Sequence, residues 1–306
     1  MMTLTREAPM STARTRPLLG RGMVVTTVVI ALLLTFAAVA GLFFDAYDQE
    51  TEFARNAYRG ADLVSLVLAV PLLVGSCWAT TRGSRRGHLL WLGSVAYCVY
   101  QYAYVFAYRW NELFPIHLLL FSLSSFTLVV GLIQIPWSDV AGRFDAGLPR
   151  RTTTWFLWVL AAGLGLMETL QMSLALISGE TPAIIELTAH PTSPVYILDL
   201  GFVVPLMIVA GLWLRQGRAW GYVAAPIMLL KGVMVGLGLL AGNLFAVMND
   251  SSGDGPLNAL WALIGCGSAA ALIVFLRHVD ALPVNDQRRA RRPSGRPRLS
   301  TASERQ

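Results

Sequence analysis

Lysine is almost missing from this chain: Lys231 stands alone against 23 arginines. That one lysine lies inside a hydrophobic run, which excludes a P-loop, whose phosphate-binding lysine follows a glycine-rich turn. Cysteine is scarce as well. Cys77, Cys98 and Cys266 all fall in apolar runs, with no C-x-x-C and no pair in a polar connection, so a disulfide framework or redox motif is excluded. The chain has no H-E-x-x-H and no G-x-S-x-G, which removes the zincin helix and the nucleophile elbow. Charge is thin throughout: 14% of residues, against about 25% in an average soluble domain.

What fills the 306 residues is apolar: 55% of them are hydrophobic and the mean hydropathy is +0.56. Runs of roughly 20 apolar residues are long enough to cross a ~30 Å hydrocarbon core. Eight such runs occur, at Met23–Phe44, Leu63–Ala79, His88–Tyr108, Leu113–Ile135, Trp155–Ser178, Tyr196–Leu214, Gly221–Phe245 and Asn258–Val279. The fold class they imply is an all-α integral membrane protein, an eight-helix transmembrane bundle in the lipid bilayer. Residues 1–22 form a basic tail, 23–279 the transmembrane domain and 280–306 a second, disordered basic tail. The first run ends in Ala38-Val39-Ala40, a cleavage-like pattern, but it is too long for a signal-peptide core, so an uncleaved anchor is expected.

The arginines orient the bundle. The two tails, the connections after the second, fourth and sixth runs, and Arg277 at the tail end of the eighth run hold 20 of the 24 basic residues; only Arg55, Arg59 and Arg109 lie opposite. The positive-inside rule then places both termini in the cytoplasm, with a bacterial plasma membrane as the location expected from the arginine-heavy usage. Acids such as Asp45, Asp48, Glu50, Glu52 and Glu112 gather on the other side. The basic pI thus reflects one face and carries no nucleic-acid signal. The segment Arg288–Arg298 is a candidate contact for anionic lipid.

A shift of 134 residues superimposes parts of the two halves. Val70-Pro71-Leu72 falls on Val204-Pro205-Leu206, Leu66 on Leu200, Gly83 on Gly217 and Gly87 on Gly221. The candidate halves, 23–135 and 155–279, both start on the same side, so they would be parallel four-helix repeats. The shift sets Lys231 where Tyr97 stands.

A cation at bilayer depth costs about 2.5–3.5 kcal/mol on insertion scales, so it needs a partner or a wet cavity. Glu168, mid-way along the fifth run, is the expected partner of Lys231, with Gln171 three residues on and on the same face. In the third run Tyr97, Gln101, Tyr104 and Tyr108 recur at helical spacing and form one stripe, with Tyr100 and Tyr102 beside it. Lys231, Glu168, Gln171, Tyr97, Gln101 and Tyr104 are therefore the candidates for a substrate or proton relay. A second, outer set comprises His117, His190, Asp199, Arg109 and Asn243, with the turn-rich segment 186–194 above it as a cover. No metal-ligand spacing and no cofactor motif accompanies them, so neither a metal nor a cofactor is expected. The glycine pairs Gly232/Gly236 and Gly238/Gly242, with the small residues from Gly265 to Ala271, read as close helix contacts.

These features favour transport or binding of a small-molecule ligand in an outward-facing polar cavity. A membrane enzyme acting on a lipid or lipid-linked substrate at the outer face is the alternative, and would need His190 and Asp199 within hydrogen-bond reach, directly or through one water. A sensory or assembly protein is the third reading. Catalysis is the weaker expectation, since no catalytic signature is present.

Overall fold

With no water in hydrocarbon to satisfy its backbone, a chain this apolar must close its hydrogen bonds within each segment. The computed structural model, which describes residues 18–249 and 255–279, does so with helices. Eight are long and apolar enough to cross a bilayer: α1 Arg21–Phe43, α2 Glu52–Thr81, α3 Arg85–Phe106, α4 Phe114–Ile133, α5 Arg150–Ser178, α6 Pro194–Arg215, α7 Ala219–Met248 and α8 Leu257–Arg277. The chain is a multi-pass membrane protein. Both basic tails, apart from residues 18–22 and including the lipid-contact candidate in 280–306, lie outside the described residues.

The largest difference from the sequence expectation is at α2, which begins at Glu52 and not near Leu63. Arg55, Asn56, Arg59 and Asp62 interrupt the apolar run. They do not interrupt the helix. Thr51 caps its start by accepting from the Ala54 N–H, and Ala54, Tyr58, Gly60 and Asp62 are buried on more than one side of it. A helix covered by protein needs no apolar face toward lipid.

What covers it is α7, which packs against α2, α3, α6 and α8 and is the centre of the bundle. Its apolar window is 72% buried, against 11% for α5 at the periphery. Glycines make this possible. Gly232 and Gly236 face Ser268 and Gly265 on α8, while Gly238 and Gly242 face Ala61 and Ala57 on α2. The two small-residue pairs thus serve two different neighbours.

The segments related by the 134-residue shift match in local geometry. Each proline helix carries a π turn just before its Val-Pro: Ser65–Ala69 in α2 and Asp199–Val203 in α6. Proline lacks the N–H that an α turn would use, and its ring crowds the carbonyl four residues back. Widening to i→i+5 bonding relieves both, and the Val70 and Val204 N–H groups bond to Ser65 O and Asp199 O. Both helices then end before glycines of positive φ, Gly83 at 86° and Gly217 at 71°. Neighbour relations recur too: α1 on α2, α2 on α3 and α3 on α4 correspond to α5 on α6, α6 on α7 and α7 on α8.

Candidate functional site

Asp199 is the first residue of the π turn in α6, and it holds the lysine. Lys231 Nζ donates to Asp199 Oδ1 at 3.0 Å, with both side chains buried. The ammonium also stands over the Tyr100 ring, 4.3 Å from its centroid, where the negative face of the ring favours a cation. The shift-related residues form the matching pair: Ser65, first in the π turn of α2, lies 2.9 Å from the Tyr97 hydroxyl. The same place in the two segments carries a neutral hydrogen bond once and an ion pair once.

The expected pairing of Lys231 with Glu168 is therefore corrected. The position of Asp199 near the start of α6 suggests the mouth of the bundle, but the π turn and the depth of the helix place it lower. Counted from the arginine-rich end at ~1.5 Å per residue, it is about 24 Å deep and the Lys231 backbone about 18 Å. A lysine stem spans that offset. Glu168 is close enough to feel the charges of both Asp199 and Lys231, yet both its oxygens are buried without a hydrogen-bond partner. Gln171, one turn further along α5, accepts from the Tyr196 hydroxyl at 3.1 Å. Glu168 and Gln171 thus face Asp199 and Tyr196 as successive rungs between α5 and α6.

The tyrosine stripe borders a cavity of about 160 Å³ between α2, α3 and α7. Tyr97, Tyr100, Gln101 and Tyr104 form one wall, Tyr58 and Ala57 another, and Val235 and Leu239 of α7 a third. The cover is the segment from Ile184 to Val195, including Thr188, His190 and Ser193. Lys231 and Asp199 do not border this space. Tyr100 separates them from it, and its hydroxyl lies 3.5 Å from that of Tyr104.

The cover is tied down by residues far apart in sequence. His190 Nε2 lies 3.1 Å from Glu50 Oε2 and 3.3 Å from the Tyr58 hydroxyl. The second Glu50 oxygen accepts the Arg109 N–H at 2.7 Å, and the Thr51 hydroxyl donates to Leu187 O at 2.7 Å. Arg109 and His190 of the outer set thus meet through Glu50, which sequence reasoning had not singled out. The other three members are elsewhere. His117 packs against the rings of Tyr102 and Tyr108 with neither nitrogen bonded, Asn243 bonds Asn258 on α8 at 2.7 Å, and Asp199 belongs to Lys231. The His190–Asp199 contact that the enzymatic reading needs is not formed, since each residue has other partners. Among the described residues no group of three or more metal-ligating side chains is gathered.

One further buried acid went unassigned. Asp62 accepts from the Tyr47 hydroxyl at 2.7 Å, in a space that a side chain on Gly41 would fill. Burial pushes the Tyr47 phenol well above its ordinary value, so it remains a donor. Tyr47→Phe is expected to cost about 1–3 kcal/mol, the penalty for orphaning a buried acceptor. The check is thermal unfolding in detergent; an unchanged midpoint would show that the bond carries no stability.

No family model, curated protein or solved structure matches this chain. The fold is a multi-pass α-helical bundle whose described residues hold a buried Lys231–Asp199 pair and a tyrosine-lined cavity.

Proposed function

We propose that this protein binds and transports a small solute through the tyrosine-lined cavity. The observation that carries the reading is the cavity itself, walled by three central helices and covered by a segment held through the Glu50–His190 contact. A volume near 160 Å³ is comparable to the ~150 Å³ that accommodates a benzene-sized molecule. Its lining offers aromatic faces, the Gln101 amide and tyrosine hydroxyls, with His190 in the cover. That chemistry suits a small, uncharged, partly apolar solute. An anionic solute suits it less, because Lys231 is already neutralised by Asp199 and stands behind Tyr100. With the arginine-rich face in the cytoplasm, the cover lies outside and both termini inside the plasma membrane.

The test is a thermal-shift panel of benzene-sized amphiphiles on the purified protein, followed by uptake of the best one into proteoliposomes. Members of the panel are expected to raise the unfolding midpoint of the wild type, and Val235→Trp, which fills the cavity from α7, is expected to abolish the shift. If no compound stabilises the wild type, or Val235→Trp binds as well, the cavity is not a solute site.

A further inference from the structure

The charge arithmetic of the buried cluster does not close with the atoms that bond. Asp199, Glu168 and Lys231 are all buried, and Glu168 is only 2% exposed. Fully ionised, two carboxylates and one ammonium leave a surplus negative charge, which a low-dielectric interior does not hold uncompensated. Among the described residues the groups facing Glu168 offer no second cation: Asp199 and Tyr196 on α6, Lys231 on α7, Tyr104 on α3 and Gln171 on its own helix. A hard metal cation needs several oxygen ligands around it. The Glu168 oxygens receive no protein donor in this geometry, and Asp199 is the carboxyl beside them.

We propose that Glu168 carries an exchangeable proton and that Lys231 alternates between Asp199 and Glu168 as the proton passes between the two carboxyls. In one state Glu168 is a neutral acid and the ammonium is bonded to the Asp199 carboxylate, as in this structure. In the other, the proton has moved from Glu168 to Asp199 and the ammonium has turned to the Glu168 carboxylate. One proton and one ammonium serve two carboxyls in both states, so the cluster stays neutral throughout. Asp199 is also the carboxyl in contact with Tyr100, whose ring and hydroxyl reach the cavity wall and Tyr104. The proton is thereby placed one side chain from the solute. As a coupling device this rests on the solute reading above, but the proton itself can be read with no solute present.

The probe is dicyclohexylcarbodiimide added to membranes containing the full chain, with adducts located by peptide mass spectrometry. The carboxyl proton moves to a carbodiimide nitrogen, the carboxylate oxygen adds to the central carbon, and acyl transfer to nitrogen gives a stable N-acylurea. A carboxylate paired with an ammonium does not enter this sequence. In the wild type the main adduct is expected on Glu168, the acid in the state seen here, with a minor adduct on Asp199 from the second state. In Asp199→Asn the ammonium turns to Glu168, and labelling there is expected to fall at least about tenfold, the factor that ~1.4 kcal/mol of pairing produces. In Lys231→Gln, Glu168 labelling persists and Asp199 labelling rises, because no ammonium holds either carboxylate. A misfolded variant would not give these opposite responses, and size-exclusion elution of each checks the fold. An unlabelled Glu168 in the wild type, or unchanged labelling in Asp199→Asn, overturns the proposal. A failed solute screen leaves the labelling result standing, so the two readings fail separately.

Discussion

Lys231→Ala is expected to destabilise the protein by about 3–5 kcal/mol, the range for removing one partner of a buried ion pair. The size follows from what is left behind. Asp199 loses its only ammonium while a second acid, Glu168, feels its charge, and the face of Tyr100 loses its cation. Asp199→Asn should be milder, because Glu168 remains as an alternative acceptor for the ammonium. Replacing both partners with apolar residues, Lys231→Met with Asp199→Leu, should recover most of the loss, since a well-packed apolar pair often equals a buried salt bridge. Thermal unfolding of the four proteins in one detergent decides this. A neutral Lys231→Ala, or a double variant no better than the single, would show that the pair contributes little.

Gly60→Leu is the second large effect. A Cβ at Gly60 would run into the backbone of Gly242 and the carbonyl of Gly238, and backbone atoms cannot swing aside as a side-chain tip can. Overpacking a well-filled interior costs about 1–3 kcal/mol and occasionally more. A backbone-to-backbone contact between α2 and the central helix belongs at or above the top of that range. Gly75→Leu is the control, because nothing lies within 4 Å of a Cβ there. The expected result is loss of monodisperse protein for Gly60→Leu and near-wild-type behaviour for Gly75→Leu. Equal behaviour would mean that α2 and α7 are not held by close approach.

The sequence shows the spans, the special place of Lys231 and the tyrosine face, because hydropathy and helical spacing are local signals. The partner of Lys231 was not local. Choosing between Glu168 and Asp199 required knowing that α6 faces α7 at the right height and that a π turn presents Asp199 at that point. Proline at 205 hints at a break in bonding, but its form is set by packing. Glu50 and His190 are 140 residues apart in two connections, and no periodicity links them. Tyr100 was seen only as a neighbour of the stripe, since a cation over a ring leaves no mark in spacing.

The central position of α7 also bears on biogenesis. α2 enters the membrane some 140 residues before synthesis reaches the start of the helix that buries it. Until then its polar side chains have few places to go: Asp62 can bond Tyr47, whereas Asn56 accepts from Asn249 at the far end of α7. The first four helices therefore leave the ribosome as an unfinished layer, with the glycine surface of α2 open to lipid or to a chaperone. Cutting the chain in the 135–155 connection would separate that layer from its own core. The two halves are better regarded as co-dependent in assembly than as modules that fold first and dock later.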